Sequence, residues 1–524
     1  MYITLVARGR LTLRQMTSRQ ALTSDTALLI YLALISFIAH MLVAGNYGYF
    51  RDELYYLADG HHLAFGYVDQ PFLIGWLAAL LNILAGDSLV AIHIIPALAG
   101  AAIVVITGLI ARELGGHRLA QALAAVGALF TLIFMATASI FSMDILDALW
   151  WTLGAYLVVR LISRDQSRLW LLFGLVAGIG LTTKLTMLFF GLALAVGLLV
   201  TPARAAFRQR WIYLGGAIAF AFLLPYMLWN AANGWPTVEF WRHYGGLSGG
   251  GPIGLLANIL LILNIVNLPL AIAGLYFYFR APAGKPYRAL GWAVVILYAL
   301  FTLINAKAYF FGPVFPALLA PGAVVFERAA LIRRRPWITP VYLAALVLSG
   351  LLFAPLAMPI LPPATYAAHY AFLTALGNGG AGQTSGSPFP QYLADRFGWD
   401  TMTATVARVY ESLPAKERAQ ACIFTENYGE ASALNLLGPR EHLPPAISGH
   451  NNYYLWGPGS CSGQVLITVN VSRSDLSQTY ASVVPAGATA CAYCEDYENG
   501  APIFVCTQPK VSIPNAWQRA KHFN

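Results

Sequence analysis

Residues 27–46 are twenty consecutive residues without a single Lys, Arg, Asp or Glu, and comparable apolar stretches recur to residue 358. A hydrocarbon core about 30 Å thick takes roughly 20 apolar residues as a helix, because a backbone in lipid must satisfy its own polar groups. Eleven spans are read: 27–46, 88–111, 119–138, 145–162, 169–183, 187–202, 211–229, 253–279, 289–304, 312–327 and 337–358. Composition agrees, with 58% hydrophobic and 10% charged residues and a mean hydropathy of +0.62. Soluble globular and disordered chains are excluded on those figures.

The basic residues set the orientation. Of the 23 Lys and Arg in residues 1–358, 19 precede the first span or lie in the connections that begin at Arg112, Arg160, Arg204, Arg280 and Arg328. By the positive-inside rule that side is cytoplasmic. The net charge of +9 therefore reports topology, and no nucleic-acid partner is expected. The Arg-rich residues 1–24 read as the start of an uncleaved signal-anchor. Residues 71–86, too short to cross, read as a helix at the outer interface. An odd number of spans places residues 359–524 outside, as a domain distinct from the membrane domain 1–358. The chain is thus expected to be a multi-pass α-helical protein of a bacterial inner membrane, with its N-terminus cytoplasmic and an extracytoplasmic C-terminal α/β domain.

The minority charges carry the chemistry. Arg51, Asp52, Glu53, Tyr55 and Tyr56, then His61 and His62, then Asp69 and Gln70 fall in the first outer loop. Asp144 follows the third span, Lys184 caps the hairpin of the fifth and sixth, Arg242 follows the seventh, and Lys307 and Tyr309 lie just outside the tenth. Ionisable groups beside a bilayer are costly and invite a functional explanation. Carboxylates among cations suit a substrate with a hydroxyl to deprotonate and a phosphate to hold.

Phe50-Arg51-Asp52-Glu53-Leu54-Tyr55-Tyr56, Gly66-Tyr67-Val68-Asp69-Gln70-Pro71, Arg112-Glu113-Leu114-Gly115-Gly116 and Ser142-Met143-Asp144 resemble, in order and spacing, the family 39 glycosyltransferases of the GT-C superfold. That family includes protein O-mannosyltransferases and bacterial aminoarabinose transferases. The resemblance covers about residues 27–330. It implies a polyprenyl-phosphate-linked sugar as donor, an envelope acceptor and chemistry on the extracytoplasmic face. Asp52 matches the family's base, Glu53 completes its acidic pair, Asp144 matches its second acid, and Lys184 stands where a basic residue lies near the donor phosphate. Asp69-Gln70-Pro71-Phe72 departs from the Glu-Lys-Pro-Pro of aminoarabinose transferases, and Tyr55 stands where they have an arginine.

A polyprenyl phosphate leaves readily, so cations rather than a general acid suffice, and Lys184, Lys307 or Arg242 would supply them. With Asp52 as base on the opposite face, a single displacement inverts the anomeric carbon. No cofactor is firmly expected; a divalent metal held by Asp52, Glu53 and Asp144 is the lesser alternative, without diagnostic histidine–carboxylate spacing.

Beyond a Gly/Ser/Pro linker at 378–390, a helical run at 390–413, strands near 420–425, 465–471 and 502–507, and helices starting at Tyr428 and after Asp475 predict a small α/β domain. Glu426, Glu430 and His450 are placed to touch an acceptor, although a loop packed on the membrane domain explains the same segments. All five cysteines fall in this domain, which predicts disulfides in an oxidising compartment. Cys422, in a buried strand, is expected to be the free thiol, with Cys461, Cys491, Cys494 and Cys506 paired in one of three ways. The rival class is a multi-pass transporter or lipid flippase, which would place polar groups near the midplane on repeated, broken helices.

Overall fold

A computed structural model describes residues 24–243, 250–332, 334–375 and 387–524. The basic residues Arg8, Arg10, Arg14 and Arg19 of the expected anchor, and the linker up to residue 386, lie outside the described residues.

Seven described helices are long and apolar enough to cross a membrane: Asp25–Val43, Leu89–Glu113, Met143–Arg164, Arg210–Ala232, Pro282–Leu303, Ala308–Ile332 and Ile338–Ala357. Counting each sharply bent pair as one span gives up to nine, fewer than the eleven expected. The apolar stretch at 119–138 is divided into Arg118–Leu129 and Leu132–Thr137, and Leu169–Thr183 is a single helix of 15 residues. The stretch at 187–202 turns by 110° between Met187–Leu199 and Pro202–Arg208. The stretch at 253–279 turns by 97° after Leu263. Asn264 makes that turn in a left-handed conformation, φ 74°. Its amide group donates to Phe130 O and Ser349 Oγ and accepts from the Val266 N–H, so the interrupted helix keeps its polar groups paired. Hydropathy alone does not register such a break, because every flanking residue remains apolar.

The helix expected at the outer interface spans Leu73–Ala85. It buries Ile74, Gly75, Ala78 and Leu81, while Trp76, Leu80, Ile83 and Leu84 on the other face stay uncovered.

The C-terminal region carries a five-stranded sheet in the order β2-β1-β3-β5-β4, with β1 Ala421–Thr425, β2 Ala446–Ser448, β3 Val465–Val469, β4 Tyr480–Ala488 and β5 Pro502–Pro509. β1 runs parallel to both β2 and β3, and β5 is antiparallel to β3 and β4. The expected strands and the helix Tyr428–Leu437 are present; β2 and β4 were not anticipated, being respectively three residues long and largely solvent-facing. Cys422 is not the free thiol: it is bonded to Cys461, while Cys491, Cys494 and Cys506 form no disulfide among the described residues. Burial of a β1 side chain does not exclude a bridge, since Cys461 packs on the same apolar cluster as Cys422.

The segment before the sheet is anchored in the membrane half. Arg51 N–H donates to Asp395 O at 3.0 Å, Arg396 to Ser139 O at 2.7 Å, and Trp399 Nε1 to Tyr49 O at 3.1 Å.

Candidate active site

The loop after the first span opens with the helix Arg51–His61, and two adjacent acids at its start face different environments. Glu53 is wholly buried. One of its oxygens accepts the Phe50 N–H at 2.8 Å; the other accepts the Phe141 N–H at 2.6 Å and meets His93 Nε2 at 2.7 Å. Satisfied on all sides, Glu53 ties the loop helix to two neighbouring segments.

Asp52 keeps 29% of its side chain exposed. Its Oδ1 accepts the Tyr428 hydroxyl at 2.8 Å and lies 3.5 Å from Arg51 Nε. Oδ2 has no hydrogen bond among the described residues. Arg51 in turn reaches Asp395 Oδ2 at 3.5 Å and donates to Tyr497 Oη at 2.6 Å. Burial pushes the Asp395 carboxyl up to about 7 despite the pull of Arg51. Arg51 is therefore held largely by the C-terminal region. Tyr428, Asp395 and Tyr497 had not been singled out in the sequence; no local motif joins them to residue 52.

Behind Asp52 lies a buried polar network. Tyr55 donates to Asp69 Oδ1 at 3.1 Å and stacks on Tyr428 with ring centroids 4.4 Å apart. Asp59, missed as a site residue, is buried and accepts from Gln70 Nε2 and from Asn452 Nδ2, each at 2.7 Å. Burial raises the Asp59 carboxyl well above its ordinary value, with the charge of Asp69 adding to it. Burial likewise pushes Asp69 up to about 7, helped by the charge of Asp52. Gln70 thus holds an acid of the loop in place.

A second cluster surrounds a narrow cleft lined by Thr137, Asp144, Asp147, Lys184, Tyr309 and Phe310, among others. Lys184 is bonded to Asp144 Oδ1, and its ammonium lies 5.0 Å and 4.7 Å from the ring centres of Tyr309 and Phe310. Asp147, also missed as a site residue, accepts from Thr186 Oγ1 at 2.7 Å. Burial raises the Tyr56 phenol well above its ordinary value, with the charges of Asp52 and Asp144 adding to it. Lys307 immediately precedes the turn Ala308–Val314 that lines this cleft.

The other candidates make contacts of their own. His61 lies 3.7 Å from Asp87 Oδ1, and His62 stacks on Trp456 at 4.0 Å. Arg242 is exposed on the helix Pro236–His243. Glu430 is buried in its own domain, bonded to Asn427 and Asn470, so it does not reach an acceptor. His450 packs on Tyr428 and His522, and Glu426 is exposed. The ligand set Asp52, Glu53 and Asp144 does not fit a metal, since the Glu53 oxygens are turned to His93 and backbone N–H groups. No group of three or more His, Cys, Asp or Glu among the described residues is arranged to hold an ion.

Residues 69–229 match the family described as dolichyl-phosphate-mannose-protein mannosyltransferase. The chain is similar to ArnT from Cupriavidus metallidurans in the apo state, at 16% identity and a TM-score of 0.59, over 91% of this chain and 97% of that one. It is similar to the same protein bound to undecaprenyl phosphate, at 15% identity and a TM-score of 0.55, over the same shares of 91% and 97%. It also resembles the Archaeoglobus fulgidus oligosaccharyltransferase in complex with Zn and sulfate, at 13% identity and a TM-score of 0.50, over 85% of this chain and 68% of that one. No curated protein matches the chain. The fold is that of the GT-C superfold: a multi-pass helical membrane protein followed by a C-terminal domain built on a small sheet.

Proposed function

We propose that this chain, built on the GT-C fold, is a family 39-type glycosyltransferase of the extracytoplasmic face. It moves a sugar from a polyprenyl-phosphate carrier to an envelope acceptor, whether lipid, glycan or protein. The observation that carries the reading is the pairing of a partly exposed carboxylate, Asp52, whose Oδ2 is unbonded among the described residues, with a cleft that holds the Lys184 ammonium. The family matched by residues 69–229 and the undecaprenyl phosphate named with the ArnT structure support the same donor class.

In this reading the acceptor oxygen attacks the anomeric carbon while the bond from that carbon to the phosphate oxygen breaks. Asp52 Oδ2 takes the acceptor proton, and the polyprenyl phosphate leaves with the bonding pair, inverting the sugar. Lys184 carries the phosphate. Its partnership with Asp144 and the two aromatic rings holds the ammonium in one place, so little reorganisation is needed when charge develops on the leaving group. Asp144 and Asp147 stand where sugar hydroxyls can be bound. His61, His62, Arg242 and Lys307 remain candidates for acceptor or lipid contacts around the rim. The membrane domain is taken as residues 1–358 and the exported domain as 359–524, in an inner membrane with the N-terminus cytoplasmic.

The test uses a strain that lacks this chain, with mass spectrometry of its envelope glycans and lipids. A species should vanish and return with the wild-type chain. Asp52→Asn should leave it at least about 10³-fold depleted, at the upper end of what a positioned general base contributes, with the protein still inserted in the membrane. Full restoration by Asp52→Asn would sink the assignment of the base.

A further inference from the structure

The exported domain reaches Asp52 through one side chain. Tyr428 is the first residue of the helix Tyr428–Leu437, whose start is capped by Asn427 through a 3.0 Å bond from the Glu430 N–H. That helix is pressed onto the first-loop helix so closely that a Cβ on Gly429 would lie 2.4 Å from Arg51 Cγ. A larger residue there would push the two helices apart. The phenol ring is clamped between helices, stacked on Tyr55 at 4.4 Å with the Arg51 guanidinium 5.6 Å from its centre. Its hydroxyl therefore has little freedom, and it points at Asp52 Oδ1 at 2.8 Å.

From this geometry we infer that Tyr428 is a positioning residue for the proposed transfer: its hydroxyl fixes Asp52 Oδ1 so that Oδ2 is the oxygen presented to the acceptor. The inference rests on the reading of Asp52 as base. Two physical effects follow. First, a carboxylate held by one oxygen cannot rotate its second out of line with the incoming hydroxyl, and misplacement by about 1 Å can cost 10²-fold in rate. Second, a donated hydrogen bond favours the ionised carboxylate, the form a base needs. Burial and the neighbouring Asp52 raise the Tyr428 phenol well above its ordinary value against the pull of Arg51. Tyr428 thus stays a donor throughout the working range. The groups that face Asp52 are Arg51 and Tyr56 of its own helix, Asp69 of the loop that follows, and Asp395 and Tyr428 from the other domain.

The experiment compares full-length wild-type protein with Tyr428→Phe, which keeps the stack on Tyr55 and loses only the hydroxyl. The vanished envelope species is quantified in complemented cells. Binding of undecaprenyl phosphate to purified protein in lipid nanodiscs is the control for folding and donor capture. Tyr428→Phe should bind undecaprenyl phosphate as the wild type does and make roughly tenfold less product, the worth of one hydrogen bond to a charged group. The deficit should fall on turnover and leave donor binding unchanged. Should Tyr428→Phe lose undecaprenyl phosphate binding, Tyr428→3-fluorotyrosine decides: a stronger donor of nearly the same shape should change turnover while binding holds. Product at the wild-type level, or fluorotyrosine turnover identical to the wild type, would overturn the inference. If Asp52→Asn retains activity, the base assignment fails. If Asp52→Asn is dead and Tyr428→Phe is unaffected, only the role of Tyr428 fails.

Discussion

The two charged clusters are built in different ways. The cleft around Lys184 is made by the membrane half alone, from the Asp144 turn, the hairpin after Thr183 and the turn at 308–314. The cluster around Asp52 is a seam, in which Arg51, Asp52 and Tyr55 meet Asp395, Tyr428, Asn452 and Tyr497. In the proposed reaction the cleft carries the donor, whose lipid already lies in the bilayer, and the seam faces the acceptor. In that proposal, placing the two tasks on separately built surfaces allows the seam to be adapted to an acceptor while the cleft stays constant.

That contrast can be broken in measurable ways. The largest expected effect is at the seam's foundation: Glu53→Ala leaves His93 and the N–H groups of Phe50 and Phe141 without their partner. Removing one member of such a buried set costs about 3–5 kcal/mol, read as a fall in unfolding temperature that affects donor binding and turnover together. Next comes the cleft. Lys184→Ala should lower turnover about 10²-fold by removing one charge-assisted contact, and should weaken undecaprenyl phosphate binding, which Asp52→Asn should leave unchanged. If both variants weaken binding equally, the division between cleft and seam is wrong. Breaking the Cys422–Cys461 bridge by Cys461→Ser, across a separation of 39 residues, should destabilise the C-terminal region by about 2–4 kcal/mol. The smallest effect is a pH slope. Asp69 titrates near 7 in the folded protein against an ordinary 3.8, so its contribution to stability is complete below about pH 4 and is lost as pH rises through 7. Asp69→Asn should flatten the decline of unfolding temperature over that interval; an unchanged slope would mean that other groups, such as Asp395, set it.

The cleft was legible in the sequence because membrane topology delivers it: charge asymmetry assigns each loop to a side, and Asp144, Lys184, Lys307 and Tyr309 fall on the same one. The Asp52–Glu53 pair was legible as a motif, yet the division of labour within it was not. Neighbouring helical residues are about 100° apart, and only the packing of His93 and Phe141 decides which acid is enclosed. Tyr428 and Tyr497 were out of reach for a plainer reason, since a pairing across 376 residues leaves no local spacing to read. The bends at 263–265 and 199–202 escaped because hydropathy measures what lipid tolerates and not where a helix axis turns.

The distance along the chain between Asp52 and Tyr428 also orders events during biosynthesis. At 5–20 residues per second, roughly 20–75 s separate the synthesis of the two. Through that interval the loop helix exists without the helix that covers it, and Arg51 stands without Asp395 or Tyr497. The site is therefore assembled last, once the C-terminal domain has folded against the first loop. A truncated or stalled chain would hold the carboxylate but not the clamp around it, so an immature copy left in the membrane would be a poor catalyst of stray transfer.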